Sequence, residues 1–232
     1  MFDRIQHWFG NGWTGIAELL ITAFCVFFSL SIHEFAHGYA AFKMGDETAR
    51  NMGRLNISPM SHLDPIGAIC LFLFGFGWAK PVPVNPRNFK SGKYKSGMVL
   101  TSIAGPLSNL IITFIACLLL NIIGRFVSSV SFSSKFALMA TNVLVLILYT
   151  LIRMNISLAI FNLIPIPPLD GSKILNAVLP GRIYFKIMQY EQYGFILLIL
   201  LINTPIFGRI LNGLANFVLT AFDWIIGLIP FL

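Results

Sequence analysis

The chain reads as an α-helical polytopic membrane protein on three grounds: its composition, the length of its apolar runs and the places where its charges fall. Of 232 residues, 56% are hydrophobic and 11% charged, with a mean hydropathy of +0.79. That balance leaves no room for an aqueous domain of ordinary size. Apolar stretches recur at Thr14 to Phe42, Pro65 to Ala79, Met98 to Ile123, Phe136 to Ile164, Gly194 to Phe207 and Ile210 to Leu232. A helix needs about 20 such residues to cross ~30 Å of hydrocarbon. Sixteen basic residues against nine acidic give a net charge of +7. The basic residues are spread along the loops, which reads as cytoplasmic loops facing anionic lipid rather than as nucleic-acid binding.

The first run carries the segment HEFAH, His33 to His37. Positions i and i+4 share a helix face, so His33 and His37 can offer ring nitrogens to one zinc ion while Glu34 points toward the adjacent open coordination position. This is the arrangement of an activated water and its general base. In a soluble protein, a chance match to three fixed residues would be a serious competitor. At membrane depth each ionisable group costs about 2.5 to 3.5 kcal/mol on insertion scales, so a functional reason is expected.

The second run is different in kind. Its 15 residues reach only ~22 Å as a helix. It contains Gly75 and Gly77, it is followed by Pro81, Pro83 and Pro86, and basic residues flank both sides: Lys43, Arg50 and Arg54 before, Lys80, Arg87, Lys90, Lys93 and Lys95 after. With positive loops cytoplasmic, both ends lie on one side, so the segment dips in and returns. Irregular backbone at that depth survives where it is buried or lines a watery cavity, which places an aqueous pocket near HEFAH. Just before the dip, Leu55, Asn56, Ile57 and Ser58 alternate apolar and polar, the pattern of a short strand and hence of a small membrane-associated sheet.

By parity the first helix runs inward to the cytoplasm, the run from Met98 returns outward, and the run from Phe136 comes back. Its far end, NLIPIPPLDG at Asn162 to Gly171, then meets the C-terminal half of the first helix. A catalytic zinc takes three protein ligands. Asp46, Glu47 and Asp64 lie in the polar loop, Glu191 at an interface and Asp223 near the C-terminus, whereas Asp170 ends a proline-rich break in a membrane helix. Pro165, Pro167 and Pro168 forbid regular helix and Gly171 permits a tight backbone, so the Asp170 carboxylate can be aimed inward. The competing role is an N-cap for a helix beginning near Ser172, and both roles could hold together.

The fifth run is broken by Asn203, Thr204 and Pro205 and reads as a short tilted span or half of a hairpin; the sixth is a full-length run. Cys25, Cys70 and Cys117 sit in apolar surroundings without paired spacing, as small core residues outside any disulfide or metal site. The first run is too long for a cleavable signal peptide. One domain over 1–232 is expected, with its core at about 14–175 and C-terminal helices at about 186–232.

These residues carry a resemblance. HEFAH in a first membrane helix, GPLSN at Gly105 to Asn109, GWAKPVPVNP at Gly77 to Pro86 and FNLIPIPPLDG at Phe161 to Gly171 resemble the site-2 protease family of intramembrane zinc metallopeptidases, and within it the compact bacterial branch without a PDZ domain. The similarity covers about Ser31 to Leu175. It implies a three-helix catalytic core, one Zn2+ held by His33, His37 and Asp170, Glu34 as general base, and Asn162 at the active site, toward substrate or oxyanion. It also implies a multi-pass protein of a bacterial cell membrane with its active site toward the cytoplasm, a transmembrane protein as substrate, and lipid as surroundings; self-association stays open.

Peptide bonds of a membrane helix are shielded by their own hydrogen bonds, so a substrate must unwind before its carbonyl can be attacked. A strand edge near Asn56 would hold the unwound segment extended. Asn162 would donate to the developing oxyanion, or would simply join helices. Asn109 reads as helix packing, and Arg153 has no evident role. Two other classes stay open on residues alone. A zinc transporter or permease would also place His and Asp in membrane helices, but it calls for polar residues along the outer half, where Glu18 stands nearly alone. A catalytically silent substrate-binding scaffold would have no use for Glu34 beside an open coordination position. Four histidines, with His7 and His62 outside the helices, are too few for a membrane-bound iron oxygenase.

Overall fold

The computed structural model describes residues 10–74, 78–129 and 134–229. In chain order the helices are α1 (Gly12–Met44), α2 (Thr48–Asn51), α3 (Pro59–His62), α4 (Pro65–Phe74), α5 (Tyr94–Ser129), α6 (Lys135–Asn162), α7 (Asp170–Val178), α8 (Gly181–Met188), α9 (Glu191–Ile202) and α10 (Pro205–Gly227), with a 3-10 turn at Pro86–Asn88. Helices α1, α5, α6 and α10 are long and apolar enough to cross a membrane. The α8–α9 pair, bent by 67°, would make a fifth crossing if it counts as one broken span. The fold is that of an α-helical polytopic membrane protein.

Helix α1, at 33 residues, is about 50 Å long and so outreaches the hydrocarbon. Gly45 stops it: at φ 108° its N–H turns back to the Ala41 and Phe42 carbonyls, a left-handed cap that a Cβ would strain. Helices α1, α5 and α6 pack on one another, and α7 lies against α5. Small and polar residues line these contacts. Between α1 and α6, Asn155 Nδ2 donates to Ser29 Oγ at 2.8 Å, while Ser29 Oγ donates to the Cys25 carbonyl at 2.7 Å. Interhelical bonds of this kind contribute about 0.6 to 2 kcal/mol in a membrane. Farther along, Ala116 and Cys117 of α5, Leu148 and Ile152 of α6 and Ile226 of α10 form the apolar core. Large side chains such as Phe24, Phe28, Ile111, Ile115, Leu119 and Phe217 point outward, as lipid-facing residues should.

The two flanks of the expected dip meet. Helix α4 leads in, and on the way out the Lys80 N–H donates to the His62 carbonyl at 2.8 Å. Gly67 allows the return, because a Cβ there would collide with the Trp78 backbone, 3.0 Å from its carbonyl carbon. Gly75 and Gly77 lie outside the described residues, as does His7. Beyond the dip the chain packs against the end of α1: the Lys90 N–H reaches the Met44 carbonyl at 2.9 Å. Asp46, fully buried, binds the Asn85 N–H at 2.6 Å and the Asn88 amide at 2.9 Å.

The expected strand at Arg54 to Pro59 does not form, and there is no strand among the described residues. Asn56 explains why. Its Nδ2 donates to the Gly53 carbonyl at 2.7 Å, its Oδ1 accepts from the Ser58 N–H at 2.9 Å, and its carbonyl accepts from His62 at 2.8 Å. The asparagine folds the backbone into a local turn instead of leaving an edge open. Asn56 therefore cannot offer a substrate the strand edge expected of it.

Candidate active site

His33 and His37 stand on the inward face of α1, buried, with their rings edge to face at 4.6 Å. Asp170 reaches them from the proline break. Its helix begins at Asp170 itself, with Leu169 in the capping position, so the carboxylate is not an N-cap and both of its oxygens face other partners. Gly171 makes this approach possible: a Cβ there would lie 2.5 Å from the Ile164 carbonyl oxygen and nearer still to that of Leu163.

Asp170 Oδ2 lies 3.2 Å from His33 Nε2 and 3.0 Å from His37 Nε2, and the two Nε2 atoms are 3.0 Å apart. This is the metal-capable group found among the described residues. Donors about 2.0 to 2.1 Å from a tetrahedral ion are about 3.3 Å apart, so the triangle accepts zinc with an expansion of a few tenths of an ångström. Two neutral nitrogens and one carboxylate also form the donor set of hydrolytic zinc sites. Burial by itself would raise the Asp170 carboxyl. The two imidazole nitrogens within 3.2 Å of Oδ2 and the Lys173 ammonium 3.1 Å from Oδ1 outweigh it and hold the group well below the usual carboxylate range.

The far atoms of the ligands are also held. His37 Nδ1 lies 2.6 Å from the Thr101 carbonyl, and His33 Nδ1 lies 3.1 Å from Asn109 Nδ2. Between these two partners on α5 sits Gly105, where a Cβ would come 2.6 Å from His33 Cε1 and closer still to His37 Nε2. Thr101, Gly105, Asn109 and Thr113 are all buried and four residues apart, one stripe of α5 facing the histidines. Their individual roles were not legible, but that spacing of small and polar residues in an apolar run is a signal that could have singled out the face.

Glu34 lines a cavity of about 220 Å³ together with His37, Asp170, Lys173, Val82 and Thr101, space for several waters. Its Oε2 accepts from the Val82 N–H at 2.8 Å, so the Lys80 to Asn85 segment orients the carboxylate. Asn162, the last residue of α6, donates its amide to the Leu158 carbonyl at 3.0 Å. Arg153 is exposed on α6 and lies outside the site, as do Glu47, Asp64, Glu191 and Asp223.

The arrangement has close counterparts in sequence. Peptidase family M50 matches residues 21–202. A Bacillus subtilis protein named "Putative zinc metalloprotease YwhC" is 42% identical over 194 residues, covering 81% of this chain and 82% of that one. A Mycolicibacterium smegmatis protein named "Putative zinc metalloprotease Rip2" is 26% identical over 204 residues, 85% of this chain and 71% of its own. No solved structure gives a significant match. The chain belongs to peptidase family M50, the site-2 proteases, and is a zinc metalloprotease of the membrane.

Proposed function

We propose that His33, His37 and Asp170 hold the zinc ion, that Glu34 is the general base, and that the substrate is a peptide bond within or beside a membrane-spanning segment of another protein. The observation that carries this reading is the convergence of three ligand atoms to within 3.2 Å of one another on the wall of a cavity that Glu34 also lines. Zinc bound there would acidify a water and polarise the scissile carbonyl. The protein's own residues do the rest. With Oε2 fixed by Val82, Glu34 uses Oε1 to take the water proton and later returns it to the departing amine. Asn162, which ends α6 just before the loop that carries Asp170, is the candidate donor to the oxyanion once its amide leaves the Leu158 carbonyl. The whole chain acts as one domain.

Glu34→Gln tests the assignment. It keeps the volume and the ligand set but removes the proton acceptor, so cleavage of a membrane-helix substrate should fall by about 10² to 10⁴ while zinc content stays at one per chain. Loss of zinc in this variant, or stoichiometric zinc after His33→Ala with Asp170→Ala, would sink it.

We further infer that the site faces the cytoplasm of a bacterial cell; what supports this is that the basic Lys80 to Lys95 loop packs on the same end of α1 as Arg50. Single cysteines at Asn51 and Ser91, both exposed, should react with an impermeant label only from the cytoplasmic side.

A further inference from the structure

Each ligand side chain has a partner on the atom turned away from its fellow ligands, and two of these partners leave no choice of proton. The Thr101 carbonyl can only accept, so His37 carries its proton on Nδ1 and bares the Nε2 lone pair. The Lys173 ammonium can only donate, so it holds Asp170 Oδ1 and leaves Oδ2 on the metal side beside the two Nε2 atoms. The third partner, Asn109, is a carboxamide, which can present either end. In the conformation seen here Nδ2 faces His33 Nδ1 at 3.1 Å, while Oδ1, wholly buried, has no partner.

That orientation conflicts with metal binding. An NH2 group donating to Nδ1 forces the His33 proton onto Nε2, which points between His37 Nε2 and Asp170 Oδ2, where a lone pair is needed. A half-turn of the carboxamide exchanges oxygen and nitrogen without moving any other atom. It brings Oδ1 from a place without a donor to the Nδ1–H of His33. We propose that Asn109 is a positioning residue of the metal centre: its amide oxygen accepts the Nδ1 proton of His33 and thereby fixes the tautomer that offers Nε2. The inference rests on His33 being a ligand. It gives α5 a chemical role at the site beyond helix packing.

Asn109→Asp and Asn109→Leu separate the two roles, since both keep the volume but the carboxylate can only accept and leucine can do neither. Zinc affinity of the full-length protein in detergent would be measured by competition with a chromogenic chelator, alongside the visible spectrum of the cobalt-substituted form. Asn109→Leu should bind zinc about 10- to 100-fold more weakly, the range for loss of a group that orients a ligand. Asn109→Asp should bind as well as wild type, with the wild-type cobalt bands. Wild-type affinity in the leucine variant, or an aspartate variant as weak as leucine, would overturn the proposal. If the leucine variant does not fold, the aspartate variant decides alone, because a donor role would make it fail. His33→Ala is the control: if it keeps wild-type zinc, the ligand assignment has failed, whereas its loss of zinc beside a leucine variant that binds normally refutes only the role of Asn109.

Discussion

Helix α1 buries nine of its 33 residues, among them Ser29, Ser31, His33 and His37, whereas α10, with 23 residues, buries Ile226 alone. Both helices are long and apolar enough to cross a membrane, so apolarity alone does not decide which of the two is buried. In water it would, because apolar surface drives burial. In lipid the surroundings are as apolar as leucine, so what draws helices together is polar groups in need of partners and small residues that let backbones approach. The interior of this molecule is therefore its polar machinery, and the C-terminal helices wear their large side chains outside.

The harshest way to break the core is to fill it. Gly105 presses its bare Cα against both imidazoles, and an added methyl would sit 2.6 Å from His33 Cε1 and nearer to His37 Nε2. His37 cannot withdraw without giving up the Thr101 carbonyl. Gly105→Ala should therefore weaken zinc binding by about 100-fold, the upper range for misplaced ligands, and cleavage should vanish with the metal. Metal analysis after dialysis against a chelator checks it, and wild-type zinc retention would show that the histidines have room to move.

The same contrast explains what could be read in advance. His33, Glu34 and His37 were legible because helix geometry converts a spacing of four into a shared face, and Asp170 because three prolines and a glycine in a membrane run mark a deliberate break. Thr101 was not, since it contributes a carbonyl that every residue possesses, and Gly105 contributes only the absence of a side chain. Asn109 is visible as a polar residue but reads as packing, because nothing local says which helix it faces. That the flanks of the second run meet agrees with its shortness and its charges. The strand at Leu55 to Ser58 failed because alternation cannot reveal that Asn56 bonds to its own turn.

A milder break lies outside the membrane. Asp46 joins the end of α1 to the segment that orients Glu34, accepting from Thr48, Asn85 and Asn88. Burial pushes its carboxyl upward, but the bonds from Thr48, Asn85 and Asn88 prevail and hold it below the ordinary value. A depressed folded pKa gives stability that is fully present above the unfolded carboxylate value and is lost as pH falls through the folded one. Thermal unfolding in detergent should therefore show wild type losing stability below about pH 4. Asp46→Asn should be weaker at neutral pH by about 1 to 3 kcal/mol, the worth of bonds to a charged group, and flatter across the acid range. Equal acid sensitivity in both would remove Asp46 as the source.

The smallest effects test whether the C-terminal helices bear on the loop that carries Asp170, and two glycines there answer differently. Gly194 of α9 lies against the loop that carries Asp170, where a Cβ would come within 3.0 Å of the Pro167 carbonyl carbon and closer to its oxygen. Gly213 of α10 has nothing within 4 Å. Since the Pro167 contact is backbone, an alanine at Gly194 must push the loop or the helix aside, and the Asp170 carboxylate moves with the loop. A 1 Å misplacement at a distance can cost ~10²-fold in rate, so even a shift of a few tenths of an ångström should lower cleavage measurably while the protein still folds. Gly213→Ala meets open space in an ordinary helical conformation and should leave cleavage unchanged, with stability shifted by no more than about 1 kcal/mol. Assayed side by side on one substrate, equal activities would mean that α9 merely rests beside the proline loop, and a deficit in the Gly194 variant alone would make α9 the back wall of the Asp170 loop.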